Sequence, residues 1–210
     1  MFQNIVFKFT IFNLSNIYLM KKLVKILLWT VGVIGVLLLA FNFILWPIMQ
    51  EQTKKTSPEQ NVTYSKGELK LDLFYCSPSK KDIEIFGGLV PYNEVWRTGA
   101  NEASTFTTNK DLMIAGQPLP AGEYSLWTIP NENSWKVIFN NRMYSWGVKL
   151  TNQKASRNPE GDVLVVEAKV SKSLNIVEDF SITLSLSSPD TTVLMFAWDN
   201  VVVPLEIREQ

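Results

Sequence analysis

The stretch EYSLWTIPNENSWKVIFN, residues 123–140, decides the fold class. Successive side chains of a strand point to opposite faces, so Glu123–Ile129 puts Tyr124, Leu126 and Thr128 on one face and Ser125, Trp127 and Ile129 on the other. Trp135, Val137 and Phe139 then alternate with Lys136, Ile138 and Asn140. The run Asn131-Glu132-Asn133-Ser134 between them is polar and turn-forming, and two alternating runs across such a turn read as a β-hairpin.

The same period extends outward. Leu69, Leu71, Leu73 and Tyr75 mark an apolar face in Glu68–Cys76. Thr105–Thr108 and Leu112–Ala115 are short extended runs, punctuated by Asn109-Lys110-Asp111, Gly116-Gln117 and the cluster from Pro118 to Gly122. Beyond an irregular stretch, Asn141–Gly161, lies Val163–Val170, and Phe180, Ile182, Leu184 and Leu186 alternate with Ser181, Thr183 and Ser185. Thr192–Trp198 and Val201–Ile207 read as a last hairpin turning at Asp199-Asn200, with Pro204 marking an edge strand. The expectation is an all-β domain, an antiparallel β-sandwich or jelly roll of about eight or nine strands, preceded by one N-terminal transmembrane helix.

That helix is read from Ile26 to Met49, 24 residues without a charge. About 20 such residues cross the roughly 30 Å of a bilayer's hydrocarbon. Lys21, Lys22 and Lys25 precede the run, which places the N-terminus in the cytoplasm and residues 50–210 outside. The run outlasts the apolar core of a cleavable signal peptide, and FNFILWPIMQEQ offers no small-x-small cleavage site, so the segment reads as a retained anchor. No cysteine lies just beyond it that could be lipid-modified.

The resulting organisation is a cytoplasmic N-terminus at 1–22, a span at 23–49 in contact with the lipid bilayer, a flexible linker at 50–62 and an extracytoplasmic domain at 63–210. In this reading the anchor lies in the inner, cytoplasmic membrane, and the domain lies in the periplasm. Residues 1–19 are expected to be an upstream extension, with Met20-Lys21-Lys22 as the natural start.

Composition excludes several chemistries. There is no histidine, which removes Ser-His-Asp and Cys-His catalysis and every His-based metal site. Cys76 is the single cysteine, so neither an intramolecular disulfide nor a thiolate cluster can form, and it reads as a small buried hydrophobe. Residues 1–50 hold four lysines and no acid, which leaves 16 bases against 20 acids in 51–210, a net charge of −4. A weakly acidic domain without a basic run has no footprint for nucleic acid. No cofactor or metal is expected.

The loop IFGGLVPYNEVWRTGANEAS, residues 85–104, is dense in turn formers, aromatics and opposite charges, with no regular period. Tyr92, Trp96, Arg97, Asn101 and Glu102 are its candidate ligand-binding residues, because a planar guanidinium beside aromatic rings can take a carboxylate, a phosphate or a sugar hydroxyl. The alternative is an internal Arg97–Glu102 ion pair, with Asn101 capping a turn. Trp127 is added as the tryptophan best placed for exposure, opposite the Tyr124, Leu126 and Thr128 face. A carboxylate pair chosen from Asp72, Glu94 and Glu102 would serve a hydrolase such as a glycosidase.

Four stretches carry a family resemblance: SPSKKDIEIFGGLVPYNEVWRTGANEAS (77–104), PLPAGEYSLWTIP (118–130), WKVIFN (135–140) and Trp146-Gly147. Together they resemble the bacterial envelope family called domain of unknown function 2911, and the resemblance covers nearly all of 63–210. It implies an exported β-rich domain and no particular reaction. The chain departs from the family pattern at Asp82-Ile83, where members carry Gly-Arg, and at Asn93, where they carry Gly. The function expected is non-catalytic binding of a small ligand, glycan or envelope protein, with a carboxylate-dependent hydrolase and a purely structural partner-binding module as alternatives.

Overall fold

The computed structural model describes residues 19–149 and 151–210, and the expectation for residues 1–19 falls almost wholly outside them. The chain divides into two compact units, Met1–Gln52 and Thr53–Gln210. The helical part is α1 (Phe2–Ala40), described from Leu19, then a π-helical turn (Phe41–Leu45) and α2 (Trp46–Thr56). Leu19–Thr56 is long and apolar enough to cross a membrane. Pro47 has no N–H to continue the α-helical ladder, and in the π turn just before it Trp46 N–H donates to the Phe41 carbonyl, five residues back. Within the apolar run, Thr30 Oγ1 donates to the Leu27 carbonyl at 2.8 Å and Asn42 Nδ2 to the Leu38 carbonyl at 2.9 Å. Such local bonds satisfy polar side chains where water is absent.

The second unit is two antiparallel sheets. β1 (Glu59–Lys66), β2 (Leu69–Cys76), β3 (Thr105–Thr108), β6 (Gly122–Ile129), β7 (Ser134–Asn140) and β8 (Asp162–Lys169) form a six-stranded sheet in the order β1-β2-β3-β6-β7-β8. β4 (Leu112–Ile114), β5 (Gln117–Leu119), β9 (Ser171–Ser188) and β10 (Thr191–Glu209) form the other, in the order β5-β4-β10-β9. Leu71, Leu126 and Phe139 from the first sheet share one buried cluster with Ile182, Phe196 and Ile207 from the second. This is the expected sandwich, with ten strands.

Two strands, β1 and β5, lie where no strand was read, β5 pairing with β4 where Gly116-Gln117 and the cluster from Pro118 were expected to turn. α2 runs to Thr56 and β1 begins at Glu59, so helix takes the first part of the expected linker and β1 its last four residues. β1 is an edge strand whose alternate residues are only half-buried, so Val62 and Tyr64 alone carry its apolar signal. The first half of β9 is likewise a mostly exposed edge. Asp199-Asn200 is not the expected turn: Asp199 takes φ 54 at a bulge inside β10, and the β9–β10 hairpin reverses instead beyond Ser188. Pro204 therefore lies in an interior strand. β9 pairs with β10 as far as Val202 and β4 pairs from Ile207, so the missing proline N–H falls between the two ladders.

The outer face of the six-stranded sheet is covered beside β6 and β7. Trp127 is fully buried there, its Nε1 donating to Ser125 Oγ at 2.9 Å and its ring 5.2 Å from Tyr144. Ser125 Oγ also donates to the Arg142 carbonyl at 2.8 Å, which holds the segment after β7 over this face. The expected exposure of Trp127 is thereby corrected, because alternation alone does not reveal that a distant loop covers the second face.

Candidate functional site

β3 is only four residues long, and the end of the 85–104 loop fills the space beyond its start. Trp96 N–H donates to the Thr128 carbonyl at 2.8 Å, and Thr128 N–H returns to the Trp96 carbonyl at 3.0 Å. On the other side Ala100 N–H reaches the Cys76 carbonyl at 3.3 Å. Thr98 is buried at φ 58, an unusual conformation for a β-branched residue, and its hydroxyl lies 3.1 Å from that of Thr128. The loop is thus hydrogen-bonded on both flanks and ordered.

Trp96 plugs the mouth of the core. Its ring stacks on Trp198 at 6.0 Å with 14° between planes, and meets Phe180 at 4.9 Å and Trp135 at 6.1 Å edge-on. Its Nε1 donates to the Gly99 carbonyl at 3.1 Å. Trp96 is only partly buried, so the cluster presents one edge to solvent. Tyr92, also half-buried, covers Gly87, where φ is +93 and an added Cβ would lie 3.1 Å from the tyrosine ring.

Arg97 and Glu102 do not pair. No ion pair within 4.0 Å joins them among the described residues. Arg97 Nη1 instead donates to the carbonyls of Asn101 and Trp146, each at 2.9 Å. Burial lowers the Arg97 pKa from the ordinary guanidinium value, and the neighbouring Cys76 and Glu102 partly oppose that shift. Glu102 Oε2 accepts from the Cys76 thiol at 3.2 Å. Burial first, and then that hydrogen bond, push the thiol up to about 12, so it stays protonated and un-nucleophilic at neutral pH.

Asn101 takes φ 54, and its Nδ2 donates to the carbonyls of Thr53 and Ser57, capping the last turn of α2. Its side chain is thus used structurally. The three acids considered for hydrolysis stand in three settings. Asp72 accepts from Thr63 and pairs with Lys70 at 3.4 Å, Glu102 serves the thiol, and Glu94 is exposed on the loop. Among the described residues no group of three acid, cysteine or histidine side chains is placed to hold a metal ion.

Beside Trp96 and Arg97 opens a cleft of about 540 Å³. Val90, Pro91, Glu94 and Val95 form one part of its wall and Gly99 and Ala100 another. Val148, Asn152, Gln153, Lys154 and Ala155 also line the cleft, together with Pro78, Leu89 and Trp198. Val148 and Ala155 form an antiparallel bridge, and Lys149 N–H bonds the Lys154 carbonyl at 2.8 Å, so this second loop is a small hairpin of its own. At Gly147 at its base, φ +73, an added Cβ would lie 3.1 Å from Arg97 Cβ.

Of the residues expected from sequence, Trp96 and Arg97 line the cleft, while Tyr92, Asn101, Glu102 and Trp127 do not. Asn152, Gln153 and Lys154 were missed, since polar residues in an irregular segment carry no periodic signal. Residues 57–207 match the model of a family described as protein of unknown function (DUF2911). No curated protein and no solved structure matches the chain.

Proposed function

The chain belongs to the DUF2911 family, and from that premise we propose that it is a single-pass membrane protein whose β-sandwich binds a small ligand in the cleft beside Trp96 and Arg97. The cleft carries the reading. Its volume of about 540 Å³ lies within the roughly 300–1,000 Å³ of small-molecule sites, and its wall combines apolar side chains with a few polar groups. The loops that form it are held by backbone hydrogen bonds, so the shape exists before any ligand arrives. The separate settings of Asp72, Glu94 and Glu102 favour binding over hydrolysis as the use of this site.

The anchor lies in the inner membrane in this proposal, with Lys21, Lys22 and Lys25 on the cytoplasmic side and the sandwich in the periplasm. Protease added to spheroplasts is expected to degrade the sandwich and spare an N-terminal tag; protection of the sandwich would reverse the orientation.

The binding claim is tested with the full chain in lipid nanodiscs, screened against a fragment library by saturation-transfer NMR. Fragments are expected to bind the wild type and to be lost from Ala100→Trp, which fills the cleft. An absence of hits, or hits that the variant retains, would overturn the assignment.

A further inference from the structure

Among the described residues Arg97 has no ion-pair partner, and Glu102 acts on its charge only at longer range. A guanidinium cannot shed its proton, and a partly buried one is costly unless an anion meets it. No carboxylate among the described residues lies within 4.0 Å of the guanidinium, since Glu102 is turned to the Cys76 thiol through Oε2 while keeping its charge. Only Nη1 is used, on two carbonyls. Nε and Nη2 form no hydrogen bond to described residues, yet the one buried side-chain nitrogen or oxygen left without a partner among them is Arg157 Nε. Neither of these Arg97 nitrogens is therefore wholly sealed from solvent. They share one edge of the guanidinium plane, and that edge is the fork that takes a carboxylate through two parallel bonds.

The walls define the rest of the ligand. Half-buried Trp96 lines the cleft together with Val90, Pro91, Val148 and Ala155. The charged residues on the wall are Arg97, Lys154 and Glu94, one net positive charge, which matches a single negative group and not a polyphosphate. We infer that the cleft takes a small organic monoanion, a carboxylate on a flat apolar body, with the carboxylate on the free edge of Arg97 and the body against Trp96. This rests on the proposed ligand-binding role of the cleft and adds the chemical class.

Phenylacetate and phenylacetamide share a flat body and differ in the charge of the head, so they separate the class from the site. Both are titrated at neutral pH into the full chain in nanodiscs and followed by saturation-transfer NMR. Phenylacetate is expected to bind at least about tenfold more tightly, a preference that Arg97→Gln abolishes and the exposed Lys154→Gln only reduces. Equal binding of the two would overturn the anion inference and leave the cleft as a ligand site. Binding of neither would also overturn it, and the fragment screen with Ala100→Trp then decides the site itself. If Arg97→Gln fails to fold, the wild-type ratio of the two affinities still decides.

Discussion

Arg97 Nη1 lies 2.9 Å from the carbonyl oxygen of Trp146, and this bond ties the 85–104 loop to the segment that forms the other side of the cleft. The same nitrogen donates to the Asn101 carbonyl, so one end of the guanidinium is structural and the other is free. Removing the side chain therefore affects stability and binding together.

Arg97→Ala is expected to lower the unfolding free energy by about 1–3 kcal/mol, since two carbonyls lose a charged donor. Glu102→Ala removes only the acceptor of a thiol and should cost less. Because no ion pair within 4.0 Å joins the two and Glu102 acts on Arg97 only at longer range, urea unfolding of both single variants and the double variant should give a coupling below about 1 kcal/mol. A coupling of several times that size would mean that Arg97 and Glu102 pair in solution.

Cys76 gives a pH dependence. Its thiol is raised from an ordinary 9.0 to about 12, so the folded state holds the proton more tightly than the unfolded chain. The associated stability is fully present below pH 9 and is lost as pH rises towards about 12. A thiol-reactive disulfide reagent at mildly alkaline pH should label the native protein slowly and the urea-unfolded protein fully; rapid native labelling would contradict the buried, protonated thiol.

Two glycines separate backbone strain from crowding. Gly67 at φ +58 has nothing within 4 Å of an added Cβ, so Gly67→Ala should cost only about 1–2 kcal/mol for its left-handed conformation. Gly99 at φ +151 would place a Cβ 2.9 Å from the Cys76 carbonyl oxygen, and the backbone there must shift. Thermal melting should rank Gly99→Ala well below Gly67→Ala, and equal melting temperatures would show that the Cys76 contact is absent.

Trp127→Ala empties a fully buried site on the outer face of the sheet and should cost about 3–5 kcal/mol. It lies outside the cleft, so a folded Trp127→Phe should keep wild-type affinity for phenylacetate. Loss of affinity in that folded variant would place Trp127 in the binding machinery.

The sandwich was legible wherever one face of a strand meets the core. Tyr124, Leu126, Val137 and Phe139 alternate cleanly because their neighbours point away from it. The edges were not: β1 has Val62 and Tyr64 only half-covered, and the first half of β9 is mostly exposed. Asp199 looked like a turn because aspartate favours that backbone, but a β-bulge uses the same left-handed conformation. At the site, Trp96 and Arg97 stood out by residue type. Five residues of separation allowed an Arg97–Glu102 pair, yet carbonyls from two loops and a buried thiol claimed the two side chains instead. Lys154 and its neighbours join the cleft only through the fold.

The cleft is tested most directly by the indole N–H resonances of the seven tryptophans, followed by two-dimensional NMR as phenylacetate is added. Trp96, on the cleft wall, should shift in a saturable way while Trp127, buried on the outer face of the six-stranded sheet, stays fixed. A silent Trp96, or shifts of equal size at both residues, would contradict the cleft as the binding site.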